Sequence, residues 1–476
     1  MNDTDLAFAS IEDIGKLFRK RKLSPVELTN FMLARIERLN PKLNAYITVT
    51  AEIALAQAKT AEAELFAPRG RKGHRERGPL HGIPISLKDN ICTKGVRTTA
   101  GSRILRDFVP EHDALVVTKL KEAGAILLGK TNMHEFAYGV TSNNPHYGPV
   151  HNPWDLARIP GGSSGGSAAS VAAGLCFGSI GTDTGGSIRI PASLCGVVGL
   201  KPTRGQVSDS GVIPLSPTLD CTGPLARTTR DTAILLGAIA QSDSPLSGSS
   251  SARRFAAKFP KCRLGLPNEV FFDPLSDEIR QAFDAALRDF RKLGTDVRRI
   301  SVPLLNESEE AGNQIAWAEA THYHQQAEHF PGRAHDYGED VRARLEMGTK
   351  VLATCYLQSL YLRTRFIHQL LSAMDEVSVD VLAVPTTPIS APLIGEETTS
   401  LAAAKHPTRA LLLRNNRPAN LAGIPALSIP CGFTSSGLPV GLQLIGRHTG
   451  EQTLLQIAHA YERVHPQLRR PPLFAQ

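Results

Sequence analysis

The stretch RIPGGSSGGSAAS, residues 158–170, is rich in glycine and serine and decides how the rest of the chain is interpreted. A flexible linker is flanked by solvated residues on both sides. Here the stretch continues directly into Val171, Ala172 and Ala173, which can all be buried. The pattern therefore predicts a shaped loop that leads into a buried helix after Gly166, and not a linker.

Short apolar segments surround this loop and alternate with helix-like segments. IPISLKD at 83–89, AILLGK at 125–130 and FGSIGTD at 177–183 have the length and composition of buried strands, whereas ALVVTKLKEAG at 114–124 fits a helix. Two later strand-like segments are 379–388 and 424–432. This alternation is typical of an α/β fold in which helices cover the sheet.

A chain of 476 residues can form several small domains or one large α/β domain, and we predict a single domain over 1–476. Ser24-Pro25-Val26-Glu27 has the serine, proline and glutamate of a capping box, so a helix is expected to begin there. A second helical pattern covers 51–66, and SDSPLSGSSS at 242–251 is the best candidate boundary. The predicted parts are an N-terminal helical cap (1–78), a core that holds the reactive residues (79–240), a surface excursion with the substrate entrance (241–378) and the C-terminal part of the core (379–476).

Composition excludes several classes of protein. No uncharged apolar run is long enough to span a bilayer and the N-terminus lacks a secretory signal, so we predict a cytoplasmic protein without a membrane partner. The net charge is +8, with basic residues concentrated at 19–22 and 69–77. No aromatic residues interleave these runs for base stacking, so no nucleic-acid partner is predicted. The seven cysteines form no CxxC pair and are expected to be reduced and inert.

One glycine motif suggests nucleotide binding. Gly124–Thr131 fits the phosphate-loop expression GxxxxGK[ST], with Lys130 as its lysine. A phosphate loop needs small residues whose backbone N–H groups can curl around the anion. The Ala-Ile-Leu-Leu interior of this segment instead indicates a buried strand.

A second motif suggests a nucleophile elbow, GxSxG. Gly161–Gly165 fits it around Ser163, and Gly162–Gly166 fits it around Ser164. The elbow requires a downstream acid and histidine. The histidines in question lie in a polar helical region, which is typical of a solvated face; they are His322, His324 and His329.

Three separated segments point to a third interpretation: HGIPISLKDN at 81–90, the opening stretch with Ser163, and GTDTGGSIR at 181–189. Together they closely resemble the amidase signature family of serine hydrolases. The resemblance extends from the helix at SPVEL, 24–28, to GLPVGLQLIG, 437–446. It implies an α/β fold with a central mixed β-sheet flanked by helices on both faces.

The family resemblance also implies a catalytic triad of Lys88, Ser163 and Ser187, with Ser187 as the nucleophile. Ser163 would relay a proton between Ser187 and Lys88, and the peptide bond from Gly162 to Ser163 would be cis. A lysine can act as a base only when it is neutral, and burial in the strand 83–89 would lower its pKa.

The same resemblance assigns supporting roles. Thr184, Gly185 and Gly186 would form the oxyanion hole and, with Met133, contact the substrate; Phe136 is a further candidate for the acyl pocket. Supporting residues beside these loops are Gly162, Asp183 and Arg189. No metal and no organic cofactor are implied.

The family contains many amidases, so the substrate depends on details. NMHEFAYG at 132–139 and GTDTGGSIR are similar to the glutaminase (A-type) subunit of glutamyl-tRNA(Gln) amidotransferase. Ile190 and Leu413, however, stand where that protein typically has glutamine and aspartate. We therefore expect an acylamidase for apolar acyl or aryl amides, with carbamates, urethanes and esters as further substrates, and the alternative is the glutaminase subunit. The expected partner is a small-molecule amide, and the expected state is a monomer or homodimer.

Overall fold

The computed structural model describes residues 2–68, 75–241, 261–465 and 470–474. The predicted boundary at 242–251 and most of the basic run at 69–77 lie outside the described residues. None of the described helices is both long enough and apolar enough to cross a membrane.

The fold is α/β and is built on one mixed sheet of 11 strands, in the order β1-β3-β2-β6-β8-β7-β14-β15-β11-β9-β10. Two short hairpins, β4–β5 and β12–β13, lie outside it. The strands are β1 Tyr46–Val49, β2 Pro84–Lys88, β3 Ile126–Thr131, β4 Asn143–Asn144, β5 Gly148–Pro149, β6 Gly178–Thr182, β7 Val198–Lys201, β8 Thr222–Ala226, β9 Arg263–Pro267, β10 Asp296–Ile300, β11 Val381–Pro385, β12 Thr398–Leu401, β13 Ala404–Pro407, β14 Ala426–Phe433 and β15 Pro439–Ile445.

Helices cover both faces of the sheet, as the predicted fold class requires. The described helices are α1 Asp3–Ala7, α2 Ile11–Arg19, α3 Pro25–Leu43, α4 Ala51–Phe66, α5 Leu115–Glu122, α6 Gly165–Ala172, α7 Arg189–Cys195, α8 Thr229–Ile239, α9 Asp277–Lys292, α10 Ser308–Gln326, α11 Glu339–Gly348, α12 Ala353–Glu376, α13 Thr408–Arg414, α14 Arg417–Ala422 and α15 Glu451–Val464. Both α7 and α9, for example, pack on β14 and β15.

Local sequence signals explain where several elements begin. The Ser24 side chain accepts a hydrogen bond from the Glu27 N–H at 3.1 Å, and Glu27 accepts one from the Ser24 N–H at 2.8 Å. This reciprocal capping box starts α3 where the sequence predicts it. The predicted helix at 51–66 is α4, and the predicted strand at the phosphate-loop motif is β3. These predictions are confirmed.

The order of the strands brings the motif segments together. β2 is parallel to β6, with Leu87 opposite Ile180. Carboxyl ends of neighbouring parallel strands meet at one edge of a sheet, where functional groups of α/β folds commonly lie. Lys88 and Thr182, the last residues of β2 and β6, therefore end side by side.

The division into four parts stays a prediction. The structure adds that the segment 1–78 contributes β1 to the central sheet. The segment 241–378 contributes β9 and β10, which form the opposite edge of the same sheet.

Candidate active site

Lys88 lies at the centre of the site. Its Nζ atom is 2.7 Å from Oγ of Ser163 and 2.7 Å from Oγ1 of Thr182. All of its side chain is buried, and burial lowers the pKa of Lys88 to about 7, although the nearby Asp220 and Asp183 carboxylates oppose this shift. A substantial fraction of the amine is therefore neutral near neutral pH, as a base must be.

Ser163 lies in the loop that precedes α6, and its side chain is fully buried. The peptide bond between Gly162 and Ser163 is cis. The Ser163 carbonyl accepts hydrogen bonds from the His134 N–H at 3.1 Å and the Ser142 hydroxyl at 3.3 Å. A side chain on Gly162 would begin 2.8 Å from the Ser142 nitrogen, so only glycine fits there. The glycine-rich composition of this loop thus has a steric reason.

Ser187 lies on the neighbouring loop, between β6 and α7, and is 5% exposed. Its carbonyl accepts a hydrogen bond from the Ser164 N–H at 3.2 Å. This bond joins the Ser187 loop to the residue that follows Ser163. The structure therefore brings the two predicted serine loops and the predicted lysine together at one edge of the sheet.

Asp183 shapes the turn that carries Ser187. Its carboxylate accepts hydrogen bonds from the N–H groups of Gly186 at 2.8 Å and Ile188 at 3.1 Å. Arg189 donates to it through Nε at 3.0 Å and Nη2 at 2.9 Å. Burial alone would raise the pKa of Asp183, but the Arg189 guanidinium holds it well below its usual range. Asp183 is therefore ionised and fixes the turn from within.

The same contacts redefine the candidate oxyanion hole. The Gly186 N–H is already donated to Asp183, so it is committed to the turn. Across the described ranges, the N–H groups of Thr184, Gly185 and Ser187 donate to no protein acceptor. These three are the donors that can point at an oxyanion, whereas Gly186 has a structural use.

The sequence analysis does not predict a role for two residues of the site. Thr182 accepts the second hydrogen bond of Lys88. Thr182 lies inside the GTDTGGSIR motif, but the sequence analysis assigns it no role. Asp220 is buried and accepts a hydrogen bond from the Thr184 hydroxyl at 2.5 Å. Burial raises the pKa of Asp220 to about 7. Asp220 is 36 positions from Thr184, so no local pattern indicates this contact.

Met133 and Phe136, the predicted pocket residues, lie just after β3 and are both buried. They belong to one apolar cluster that also contains Tyr337. The Phe136 ring packs edge to face on His324, with centroids 4.4 Å apart. His324 therefore packs against an aromatic ring. Ser163 bonds to Lys88 and not to a histidine, so the nucleophile-elbow interpretation does not apply.

Lys130 has a structural role. It is buried in β3, and its Nζ donates to the Ile91 carbonyl at 2.6 Å and to the Thr98 hydroxyl at 2.6 Å. Asp89 lies 3.6 Å away. The ammonium is thus satisfied within the core and is not directed at a phosphate.

This arrangement is suited to acyl transfer. A neutral lysine can take a proton from Ser163 while Ser163 takes one from a second serine. Free backbone N–H groups beside Ser187 can stabilise negative charge on a carbonyl oxygen, which is worth about 3 kcal/mol per donor. The bond between Lys88 and Ser163 is consistent with the first step of the predicted relay, and the roles of Lys88, Ser163 and Ser187 stay predictions.

Comparison with known proteins identifies similar chains. The family model described as Amidase matches residues 27–455. The A-type subunit of glutamyl-tRNA(Gln) amidotransferase from Geobacter sp. (strain M21) is 40% identical over 98% of this chain and 99% of its own length. Among solved structures, an amidase has a TM-score of 0.86 and 34% identity, covering 96% of this chain and 100% of that chain. The same amidotransferase component from Thermotoga maritima has a TM-score of 0.77 and 35% identity, with coverage of 96% and 95%.

These findings contradict the expected acylamidase for apolar acyl or aryl amides, carbamates or esters, because the similar curated proteins are named as amidotransferase components. That expectation depended on Ile190 and Leu413. Both are buried, at 0% and 4% exposure, in one apolar cluster. They pack behind Gly185 and Gly186, where their methyl groups would meet any added side chain. Their apolar character therefore reflects core packing and does not define an apolar substrate.

Proposed function

The chain belongs to the amidase family, and we propose that it is the glutamine-hydrolysing subunit of a multi-subunit amidotransferase that modifies an aminoacyl-tRNA. It is an enzyme that acts on amide C–N bonds. The similarity to A-type amidotransferase subunits over nearly the whole of both chains carries the finer proposal. Ile190 and Leu413 are buried together in one apolar cluster, so they supply no argument for an apolar substrate.

The proposed reaction starts with Ser187. Its Oγ attacks the carboxamide carbon of glutamine while its proton passes to Ser163, and the Ser163 proton passes to Lys88. The short bond between Lys88 and Ser163 and the lowered pKa of Lys88 support this relay. The developing oxyanion is stabilised by the free N–H groups of the Thr184-Gly185 turn.

The second half of the reaction returns the protons. The C–N bond breaks as the relay donates a proton to the leaving nitrogen, which departs as ammonia. Water then attacks the acyl-enzyme and gives up a proton to the same relay. The bond between the acyl carbon and Ser187 Oγ breaks, the relay returns the proton to Oγ, and glutamate is released. Ser163 and Lys88 thus serve first as base and then as acid.

Ammonia released at Ser187 must reach an acceptor that another protein holds, so the proposed function includes companion subunits. The test measures glutamate formed from L-glutamine by the purified chain alone and mixed with the companion subunits of a bacterial glutamyl-tRNA(Gln) amidotransferase that lacks its own glutaminase. A second readout is conversion of glutamyl-tRNA(Gln) to glutaminyl-tRNA(Gln). Hydrolysis that depends on, or is strongly stimulated by, the companion subunits supports the proposal.

Two variants control this test. Ser187→Ala should abolish glutamate formation, whereas Ser170→Ala should keep near-normal activity, because this buried serine donates to the Ser167 carbonyl within its own helix α6. A fluorophosphonate that labels reactive serines reports independently whether Ser187 is nucleophilic. Labelled Ser187 without glutamine hydrolysis under either condition would overturn the proposed substrate.

A further inference from the structure

Glu319, a half-buried residue of α10, has no part in the proposed proton relay but accepts four hydrogen bonds. Its Oε2 accepts one from the Ser216 hydroxyl at 2.5 Å and one from the Thr218 N–H at 3.0 Å. Its Oε1 accepts one from the Thr218 hydroxyl at 2.6 Å and one from the Tyr356 hydroxyl at 3.0 Å. Three of the four bonds therefore hold one short segment, residues 215–220, here named the 215–220 loop.

The 215–220 loop ends at Asp220, whose carboxylate has two separate uses. One oxygen, Oδ2, accepts hydrogen bonds from the N–H groups of Leu215 at 2.9 Å and Ser216 at 3.1 Å, and so closes the loop on itself. The other oxygen, Oδ1, accepts the hydroxyl of Thr184 at 2.5 Å. Asp220 therefore joins the loop that Glu319 holds to the residues that lead to Ser187.

Thr184 connects these contacts to the proposed reaction. Its hydroxyl is bonded to Asp220, whereas its backbone N–H donates to no protein acceptor within the described ranges and is a candidate donor to the oxyanion. Donors of this kind lower the barrier only if they are already oriented when negative charge develops. A bond from the Thr184 side chain to a buried carboxylate restrains the residue that carries the N–H. The orientation of this donor thus depends on where Asp220 lies.

The helix that carries Glu319 is itself fixed relative to the turn before Ser187. α10 packs on α12 and on α14. Asn420 of α14 donates to the Asp183 carboxylate at 2.9 Å and to the Asp183 carbonyl at 3.0 Å. Glu319 also contacts two positions of the 215–220 loop through both of its oxygens, which restrains the orientation of the loop as well as its position. The loop is therefore supported from a helix that is anchored to the same turn.

We propose that Glu319 is a positioning residue for amide hydrolysis, which holds the 215–220 loop so that Asp220 fixes Thr184 and the Thr184 N–H is directed at the oxyanion. Glu319 acts through the loop and not by contact with the substrate. The inference rests on the proposed attack by Ser187 and adds how one oxyanion donor is oriented. Because the oxyanion develops only in the transition state, loss of Glu319 should lower kcat and leave KM nearly unchanged.

The test measures the rate constant with which a fluorophosphonate labels Ser187 in the full-length protein, so it does not depend on the identity of the amide substrate. The phosphoryl oxygen of the probe gains negative charge during attack and needs the same donors as a carbonyl oxygen. Glu319→Gln keeps the shape of the side chain but replaces one acceptor oxygen with an NH₂ group. It should lower the labelling rate constant by about 10- to 100-fold. The kcat for glutamine, measured with the companion subunits, should fall by a similar factor at unchanged KM.

Glu310→Gln is the matched control, because it makes the same chemical change on the same helix. Glu310 is exposed and accepts a hydrogen bond from Gln314 of α10 at 2.6 Å. This variant should label as the parent does. Thr218→Val is a second test variant that removes one hydroxyl donor to Glu319 from a half-buried position. It should lower the labelling rate constant in the same direction as Glu319→Gln and by a smaller factor.

A double variant separates positioning through Thr184 from a general loss of structure. Thr184→Val removes the hydroxyl that bonds to Asp220 and keeps the backbone N–H. If Glu319 acts through this bond, the double variant Glu319→Gln/Thr184→Val should label at most about twofold more slowly than the slower single variant. Single effects that multiply in the double variant would show that Glu319 acts elsewhere, and would overturn the proposal.

Two further results would overturn the positioning role: labelling by Glu319→Gln at the parent rate, and an equal loss in Glu310→Gln. The outcomes also separate this inference from the proposed substrate. A parent that labels at Ser187 but hydrolyses no glutamine defeats glutamine as substrate, and the labelling rates still decide the role of Glu319. A parent that neither labels nor hydrolyses glutamine overturns both proposals.

Discussion

Nζ of Lys88 lies 2.7 Å from Oγ of Ser163, and both side chains are fully buried. A proton can move from the serine to the lysine only when the amine is neutral. Burial brings the pKa of Lys88 to about 7, so the neutral fraction grows as pH rises through that value. We expect kcat/KM for amide hydrolysis to rise with pH around neutrality and to level off above it. A pH–rate profile that is flat from about pH 6 to pH 8 would contradict a lysine base.

A substitution of Asp220 should shift the pH dependence of kcat/KM. Its carboxylate raises the pKa of Lys88, and it accepts a hydrogen bond from Thr184 that an asparagine oxygen can also accept. Asp220→Asn should therefore lower the pKa of Lys88 further and shift the rising limb to lower pH. The control is Asp231→Asn, a buried carboxylate that bonds to the Ile11 N–H and should leave the limb in place. A shift to higher pH would show that the charge of Asp220 does not act as described.

A substitution at Gly162 tests whether the close approach of Ser142 fixes the conformation of the loop that carries Ser163. A methyl group there would begin 2.8 Å from the Ser142 nitrogen and 2.9 Å from the Thr141 nitrogen. Gly162→Ala should therefore displace Ser163 and lower kcat by about 100-fold or more. Gly332→Ala is the control, because no atom lies within 4 Å of the added group. Equal activity of the two variants would mean that the loop is not fixed by this contact.

A substitution of Arg189 tests how much its buried ion pair with Asp183 contributes to the stability of the protein. It is fully buried and pairs with the equally buried Asp183 at 2.9 Å. Arg189→Met leaves the Asp183 charge without its main partner and should cost about 3–5 kcal/mol in the free energy of unfolding. Chemical denaturation measures this, with Lys16→Met as reference. Lys16 pairs with Asp13 at the surface, and its loss should cost less than about 1 kcal/mol.

The sequence motifs predict the parts of the site that are contiguous along the chain. The glycine loop before α6, the turn before Ser187 and the lysine at the end of β2 each have a local signature, and the structure brings them together. Alternating apolar segments likewise predict β3 and β6, because a buried strand needs apolar residues wherever it lies.

Long-range contacts explain what the sequence does not reveal. Asp220 reaches the Thr184 hydroxyl from 36 positions away, and Asn420 reaches Asp183 from 237 positions away. Ile190 and Leu413 can be interpreted as pocket residues until their burial in one apolar cluster is known. The substrate expectation was wrong because residue type alone does not tell a core residue from a pocket residue.

The bonds of Arg189 have a consequence for the synthesis of the protein. Its guanidinium donates to the Asn416 carbonyl, to Asn420 and to Gln443, and Gln443 follows it by 254 positions. When Lys88, Ser163 and Ser187 have all left the ribosome, these partners have not yet been translated. The nucleophile turn can acquire its full set of contacts only when β15 emerges and joins the sheet. Hydrolytic activity is therefore expected only after β15 has been translated, long after the three reactive residues have emerged.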